Sequence, residues 1–226
     1  MLRDLRDMFT VYRAWEQAHQ VPHLNNNAGQ FFDVLRRYSE PHRHYHTLAH
    51  IAACLRFLDR TYPAPISGEV NENSLWWDHR MCLQLAIIYH DIIYDVKSKT
   101  NELDSAAHAR IQMGVMGFNR DHIAVVSRLI MLTANHKGDP ADVIGSIMID
   151  TDMHVFAEPD AIYAKYAADI RKEYEPAFGR EPFLTGRRYF LSTVDPENIF
   201  VTPEMDTDAV RSQAAWNIAE ENRKLV

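Results

Sequence analysis

"MCLQLAIIYHDIIY", Met81 to Tyr94, is the stretch on which the fold turns. It runs from Met81 to Tyr89 with Gln84 as its single strongly polar residue, and then His90 and Asp91 break the apolar pattern. Extended upstream to Leu75, the segment is apolar nearly all round, as a helix at the centre of a bundle must be. It is too short, and too polar at its end, to cross a membrane. Burying an imidazole and a carboxylate without partners would be costly, so something must compensate for His90 and Asp91. A divalent cation would serve both at once, since a neutral imidazole and an ionised carboxylate are complementary ligands. Adjacent residues on a helix point about 100° apart, so the two can share an ion only close to the backbone or near the helix end.

Outward from this segment, apolar residues recur at three- and four-residue spacing, and no run of alternating polarity suggests a strand. Helices are predicted over Leu2–His19, Ala28–Tyr38, Thr47–Thr61, Leu75–Tyr94, Glu102–Met116, Asp121–Ala134, Ala161–Tyr174 and Arg187–Leu191, with a last one from about Pro203 to Leu225. Thr47, Asn101 and Asp121 stand where an N-cap oxygen is useful, and Pro159 and Pro203 suit a first turn. Breaks are expected at "NNNAGQ", "YPAPISGEVNENS", "VKSKT" and "KGDPAD". The second is the longest, but strongly apolar helices flank it, so it is expected to be a surface loop. The expected fold is all-α: one helical-bundle domain over residues 1–226, with a core over about 38–175 and the C-terminal helices packed on it.

The chain has 226 residues, 46% of them hydrophobic and 24% charged, an ordinary globular balance. A formal net charge of -7 argues against a broad contact with a nucleic-acid polymer or an anionic membrane. The two cysteines, Cys54 and Cys82, lie in apolar runs and are expected to be buried thiols in a reducing compartment. The N-terminal "MLRDLRDMFTVYRAW" carries charge every few residues, unlike a signal peptide, and a cytoplasmic location is expected.

Histidine is concentrated in "EPHRHYHTLAHI", Glu40 to Ile51, where His42, His44, His46 and His50 fall close together. With a helix starting near Thr47, His50 lies in its first turn and His46 four positions earlier, at the entry. Residues at i and i+4 share a face, so these two imidazoles can reach one site. His42 and His44 are expected in the loop near its mouth. Farther on, "IMIDTDMH" sets Asp150 and Asp152 in an apolar run, where each again needs a partner.

The succession "YHTLAHI", "HDIIYD", "NELDSA" and "DTD" resembles the HD superfamily of metal-dependent phosphohydrolases, in particular a bacterial group of predicted members. "YHTLAH" is also similar to the Tyr-His-Asn-x-x-His element of the cyclic nucleotide phosphodiesterases. The resemblance runs from about Tyr38 to the C-terminal helix. It implies His50, His90 and Asp91 as metal ligands, with Asp152 closing the set and Asp150 as the alternative. It implies His46 as proton donor to the leaving oxygen, and for Glu102 a part in orienting water or holding a ligand. The ion would be Mn, Fe, Ni, Co, Zn or Mg, activating a hydroxide for attack at phosphorus. The Asn of the phosphodiesterase element is Thr47 here, and the purine-clamping Gln of that family has no counterpart, so cyclic nucleotides are not the default substrate.

Asn135 and His136, closing the helix "VVSRLIMLTANHK", are candidates for a second metal or a phosphate contact. A histidine at a helix C-terminus also complements the dipole. Arg171 is a candidate for substrate phosphate, with an ion pair to Glu175 the plainer explanation. Arg180, Arg187 and Arg188 either line the same cleft or pair with surface acids. The leading expectation is a phosphohydrolase whose partner is a small phosphorylated molecule, a nucleotide by preference, with a homodimer left open. The alternatives are a non-catalytic nucleotide- or metal-binding regulatory module and a di-iron oxygenase using His108, His136 and His154.

Overall fold

The computed structural model describes residues 2–19, 27–63 and 75–225, and no strand occurs among them. Ten α-helices follow in order: α1 (Leu2–Ala18), α2 (Ala28–Arg37), α3 (Leu48–Thr61), α4 (Leu75–Tyr89), α5 (Asn101–Met116), α6 (Arg120–Leu132), α7 (Val143–Met153), α8 (Asp160–Phe178), α9 (Arg180–Thr193) and α10 (Asp208–Lys224). A 3-10 turn, His154–Ala157, joins α7 to α8. Most of the expected 25–30 break and of the 62–74 loop lies outside the described residues or within α2. The described helices share one contiguous hydrophobic core, and none is long and apolar enough to cross a membrane.

Helix α4 is the hub, packed against α1, α3, α5, α6 and α7. Leu83, Leu85, Ala86, Ile87 and Ile88 on successive faces are all fully buried. It ends at Tyr89 rather than at the expected Tyr94, and this matters for the site. His90 retains a helical bond from its N–H to the Ala86 carbonyl (2.8 Å), after which the chain turns. Beyond the helix, the adjacent His90 and Asp91 escape the 100° divergence and can face one point.

Helix α7 was absent from the predicted helices. Every residue from Ile144 to Thr151 is buried, so its apolar run has no polar face and no period to read. Asp142 caps it, accepting from the Gly145 N–H at 3.1 Å. Other boundaries shift by a residue or more. Thr100 and Asn119, not Asn101 and Asp121, precede α5 and α6. Helix α8 runs through Pro176 to Phe178, and α9 begins at Arg180 instead of Arg187. Pro203 stands in a turn before α10, whose cap is Thr207. Helix α5 closes at Gly117, whose φ of 93° is a left-handed conformation that glycine takes without strain. Both cysteines are buried and unbridged.

Asp150 is fully buried and ties α7 to the segment ahead of α10. Its carboxylate accepts from the N–H of Val201 (2.7 Å), from the N–H (2.9 Å) and hydroxyl (2.6 Å) of Thr202, and from the Tyr62 hydroxyl (3.3 Å). Asp150→Asn turns one acceptor into a donor facing donors. It is expected to lower stability by about 2 kcal/mol, or roughly 4–8 °C in Tm, measured by thermal unfolding.

Candidate metal centre

Three separate parts of the chain bring ligand atoms to one point. Helix α3 carries His50, the turn after α4 carries His90 and Asp91, and α7 carries Asp152. His50 Nε2 lies 3.3 Å from His90 Nε2, 3.6 Å from Asp91 Oδ2 and 3.4 Å from Asp152 Oδ1. His90 Nε2 lies 3.0 Å from Asp91 Oδ2 and 3.3 Å from Asp152 Oδ1. Ligand atoms bonded at about 2.0–2.2 Å to one ion stand about 3.0–3.5 Å apart, so this donor set fits a divalent cation. His90 Nδ1 faces the Ile87 carbonyl at 2.9 Å. Donation there fixes the tautomer that leaves an Nε2 lone pair for a metal.

The electrostatics point the same way. Burial alone would depress the His90 pKa, but Asp91 and Asp152 reverse this and hold it well above the ordinary imidazole value. Against their own desolvation, Asp91 and Asp152 are held below the usual carboxylate range, with His90 the main opposing charge in each case. Two carboxylates converging on two imidazoles demand positive charge at the centre, which a proton on His90 supplies when no ion does. Cys54 Sγ is nearby, 3.7 Å from His50 Nδ1 and 3.8 Å from its Nε2. Being equidistant from both nitrogens, the sulfur is off the line of the Nε2 lone pair.

Asp150 does not reach this point, because its oxygens are spent on residues 201–202 and Tyr62. Its neighbour two positions on does: residues i and i+2 on α7 face opposite ways. His136, in the turn after α6, places Nε2 2.9 Å from Asp152 Oδ2 and so grips the oxygen turned away from the two imidazoles. Its φ of 51° is left-handed, a strained conformation for a residue with a Cβ. The other spare histidines stay apart, His108 beside Asp33 (3.0 Å) and His154 stacked on Phe57.

His46 adjoins the centre without joining it. Its Nδ1 is 2.6 Å from Glu173 Oε2, and its ring stacks on Tyr94. Nε2 is then the ring's free nitrogen. Burial would lower the His46 pKa, yet Asp91 and Glu173 raise it above the ordinary value, favouring the charged, proton-donating form. Glu173 had no signal in the sequence. From inside α8 its fully buried carboxylate accepts the backbone N–H groups of His44 (2.6 Å), Tyr45 (2.7 Å) and His46 (3.0 Å) on one oxygen. Arg43 is equally unforeseen. Its guanidinium donates to the carbonyls of Asp91 (2.6 Å), Ile92 (3.1 Å) and His46 (3.2 Å), stapling the histidine-rich loop to the His90–Asp91 turn.

A cavity of about 660 Å³ opens onto the centre, lined at this end by His46, Asp91, Glu102, His136 and Asp152. Two expected substrate contacts lie outside it. Asn135 is exposed and accepts from the Lys137 N–H in a local turn (3.0 Å). Arg171 pairs with Glu175, one turn along α8, and its guanidinium lies over the Phe183 ring. Arg187, from α9, lines the cavity instead. No family model, no curated protein and no solved structure matches this chain.

Two outcomes follow from these contacts. Burial would raise the Glu173 pKa, but His46 and the backbone N–H groups pull it down to about 2 from 4.5. The stability so gained is complete above pH 4.5 and is lost as pH falls through about 2, an increment of about 3 kcal/mol. Glu173→Gln is therefore expected to flatten the decline of urea-unfolding midpoints as the pH is lowered from 5 to 3. His136→Asn keeps a side chain that tolerates the left-handed backbone but removes the grip on Asp152. It is expected to hold the metal-free Tm within a few degrees while weakening metal affinity about 10- to 100-fold, measured by competitive chelator titration.

Proposed function

We propose that this protein is a metal-dependent phosphohydrolase acting on a small phosphoester. The observation that carries the reading is the convergence of the buried His50 and His90 with the partly exposed Asp91 and Asp152, each carboxylate within 3.0–3.6 Å of both imidazoles, beside an open cavity. The resemblance of "YHTLAHI", "HDIIYD" and "DTD" to metal-dependent phosphohydrolases supports it. A divalent ion held by these four residues supplies Lewis acidity toward a phosphoryl oxygen and makes water more acidic.

The remaining steps belong to the chain's own groups. Glu173 holds the His46 imidazole in one orientation and favours its charged form, so the free Nε2 donates a proton to the departing ester oxygen. The Glu102 side chain, on the cavity wall at the start of α5, has no hydrogen bond or ion pair among the described residues. Its carboxylate is free to accept a hydrogen bond from water or from a substrate hydroxyl.

The test is metal analysis joined to a phosphate-release assay over a panel of phosphoesters with Mn, Co, Ni, Zn, Fe and Mg. His90→Gln and Asp91→Asn are expected to lose both bound metal and turnover. His46→Gln is expected to keep metal and lose about 100-fold or more in kcat. Asp150→Asn is expected to keep metal despite its lower stability. An Asp91→Asn protein with full metal and normal turnover would refute the reading.

A further inference from the structure

Away from the ligands the cavity changes character. Helices α8 and α9 line it with Tyr166, Ile170, Phe178, Phe183 and Phe190. Four lining rings touch in series: Tyr45 meets Tyr166 edge-on at 4.7 Å, and Phe156 reaches both Tyr166 (5.7 Å) and Phe190 (6.3 Å). Some of the polar groups among them are engaged. Arg187 is held by both oxygens of Glu221 (2.7 and 3.0 Å) and lies over the rings of Tyr166 and Phe190. The Tyr94 hydroxyl, with one proton to give, lies 3.2 Å from Glu173 Oε2 and 3.1 Å from the Tyr174 hydroxyl. Of the lysines and arginines lining the cavity, Lys99 alone has no ion pair among the described residues, and it is exposed.

A cavity of this size takes a drug-sized molecule. Its ligand end is rich in carboxylates, and its far end is mostly aromatic, with Phe178 and Phe190 its most exposed α8–α9 rings and the hydroxyls of Tyr45, Tyr166 and Tyr174 its polar points. Such a surface selects a flat apolar shape and ignores the pattern of ring substituents. Beyond the proposed ion, Lys99 is the one unpaired lysine or arginine among the described lining residues to meet a polyphosphate chain, and Asp91, Glu102 and Asp152 repel one. We infer that the substrate is a monophosphate ester carrying one planar aromatic group, which sits against the α8–α9 ring wall while the phosphate faces the metal centre. This rests on the phosphohydrolase reading for the phosphate end; the ring wall stands on its own geometry. Nucleoside monophosphates belong to the class, with little discrimination among bases.

The test pairs turnover with binding. The metal-loaded protein is expected to hydrolyse 1-naphthyl phosphate with kcat/KM at least 100-fold above that for glucose 6-phosphate, and AMP, GMP and CMP within tenfold of one another. Phe190→Ala is expected to raise KM for 1-naphthyl phosphate about tenfold, the worth of one lost ring contact. Tyr189→Ala, on a side chain 71% exposed and outside the cavity lining, should leave that KM in place. Separately, 1-naphthol should bind the metal-free protein in a fluorescence titration and lose affinity in Phe190→Ala. Naphthol binding without hydrolysis of any ester would uphold the ring wall and sink the phosphohydrolase. Equal turnover of glucose 6-phosphate, or naphthol binding indifferent to Phe190→Ala, would overturn the ring wall and leave the phosphohydrolase standing.

Discussion

Two carboxylates and two imidazoles gathered where α3, α7 and the turn after α4 meet, each carboxylate within 3.0–3.6 Å of both imidazoles, are the constraint on which the rest of this structure depends. In water such a cluster would be unremarkable. Where water is largely excluded it needs positive charge, from a proton on His90 or a bound cation, because desolvated negative charge is among the costliest things a fold can contain. The surrounding architecture keeps the four groups from drifting apart. Arg43 ties the loop before α3 to the turn after α4, Glu173 gathers three backbone N–H groups of that loop, and His136 grips the outer oxygen of Asp152. Each of the three fixes where a site group points.

The sequence carried the fold class and the cluster because both are written locally. An apolar run interrupted by His90–Asp91 announces a buried helix end that needs partners, and the four-residue spacing of His46 and His50 places them near one face. Helix α7 escaped notice for the opposite reason: being buried all round, it shows no period. Arg43 and Glu173 escaped because their importance lies in partners far along the chain, and nothing adjacent to either residue reports it. Asn135 and Arg171 were misplaced by the same limit. A polar residue near a site in sequence can turn outward into a local bond, as Asn135 does with Lys137 and Arg171 with Glu175.

The four histidines of the loop before α3 divide their labour. His50 joins the ligand cluster, His46 is held beside it by Glu173, His44 contributes its backbone N–H to the same glutamate, and His42 meets the Tyr94 carbonyl at 3.1 Å. The cavity is divided in the same spirit. Its charged end comes from the loop before α3, the turns after α4 and α6, the start of α5, and α7, and its aromatic end comes mostly from α8 and α9. The two ends are joined through α8, which carries both Tyr166 of the ring wall and Glu173, the residue that holds His46.

The most direct measurement of the central claim is a crystal structure of the manganese-loaded protein with the ion located by anomalous scattering. The account predicts one strong peak at about 2.0–2.3 Å from His50 Nε2, His90 Nε2 and the facing oxygens of Asp91 and Asp152. A peak bound elsewhere, or an ordered cluster with no ion among these four residues at saturating manganese, would contradict it.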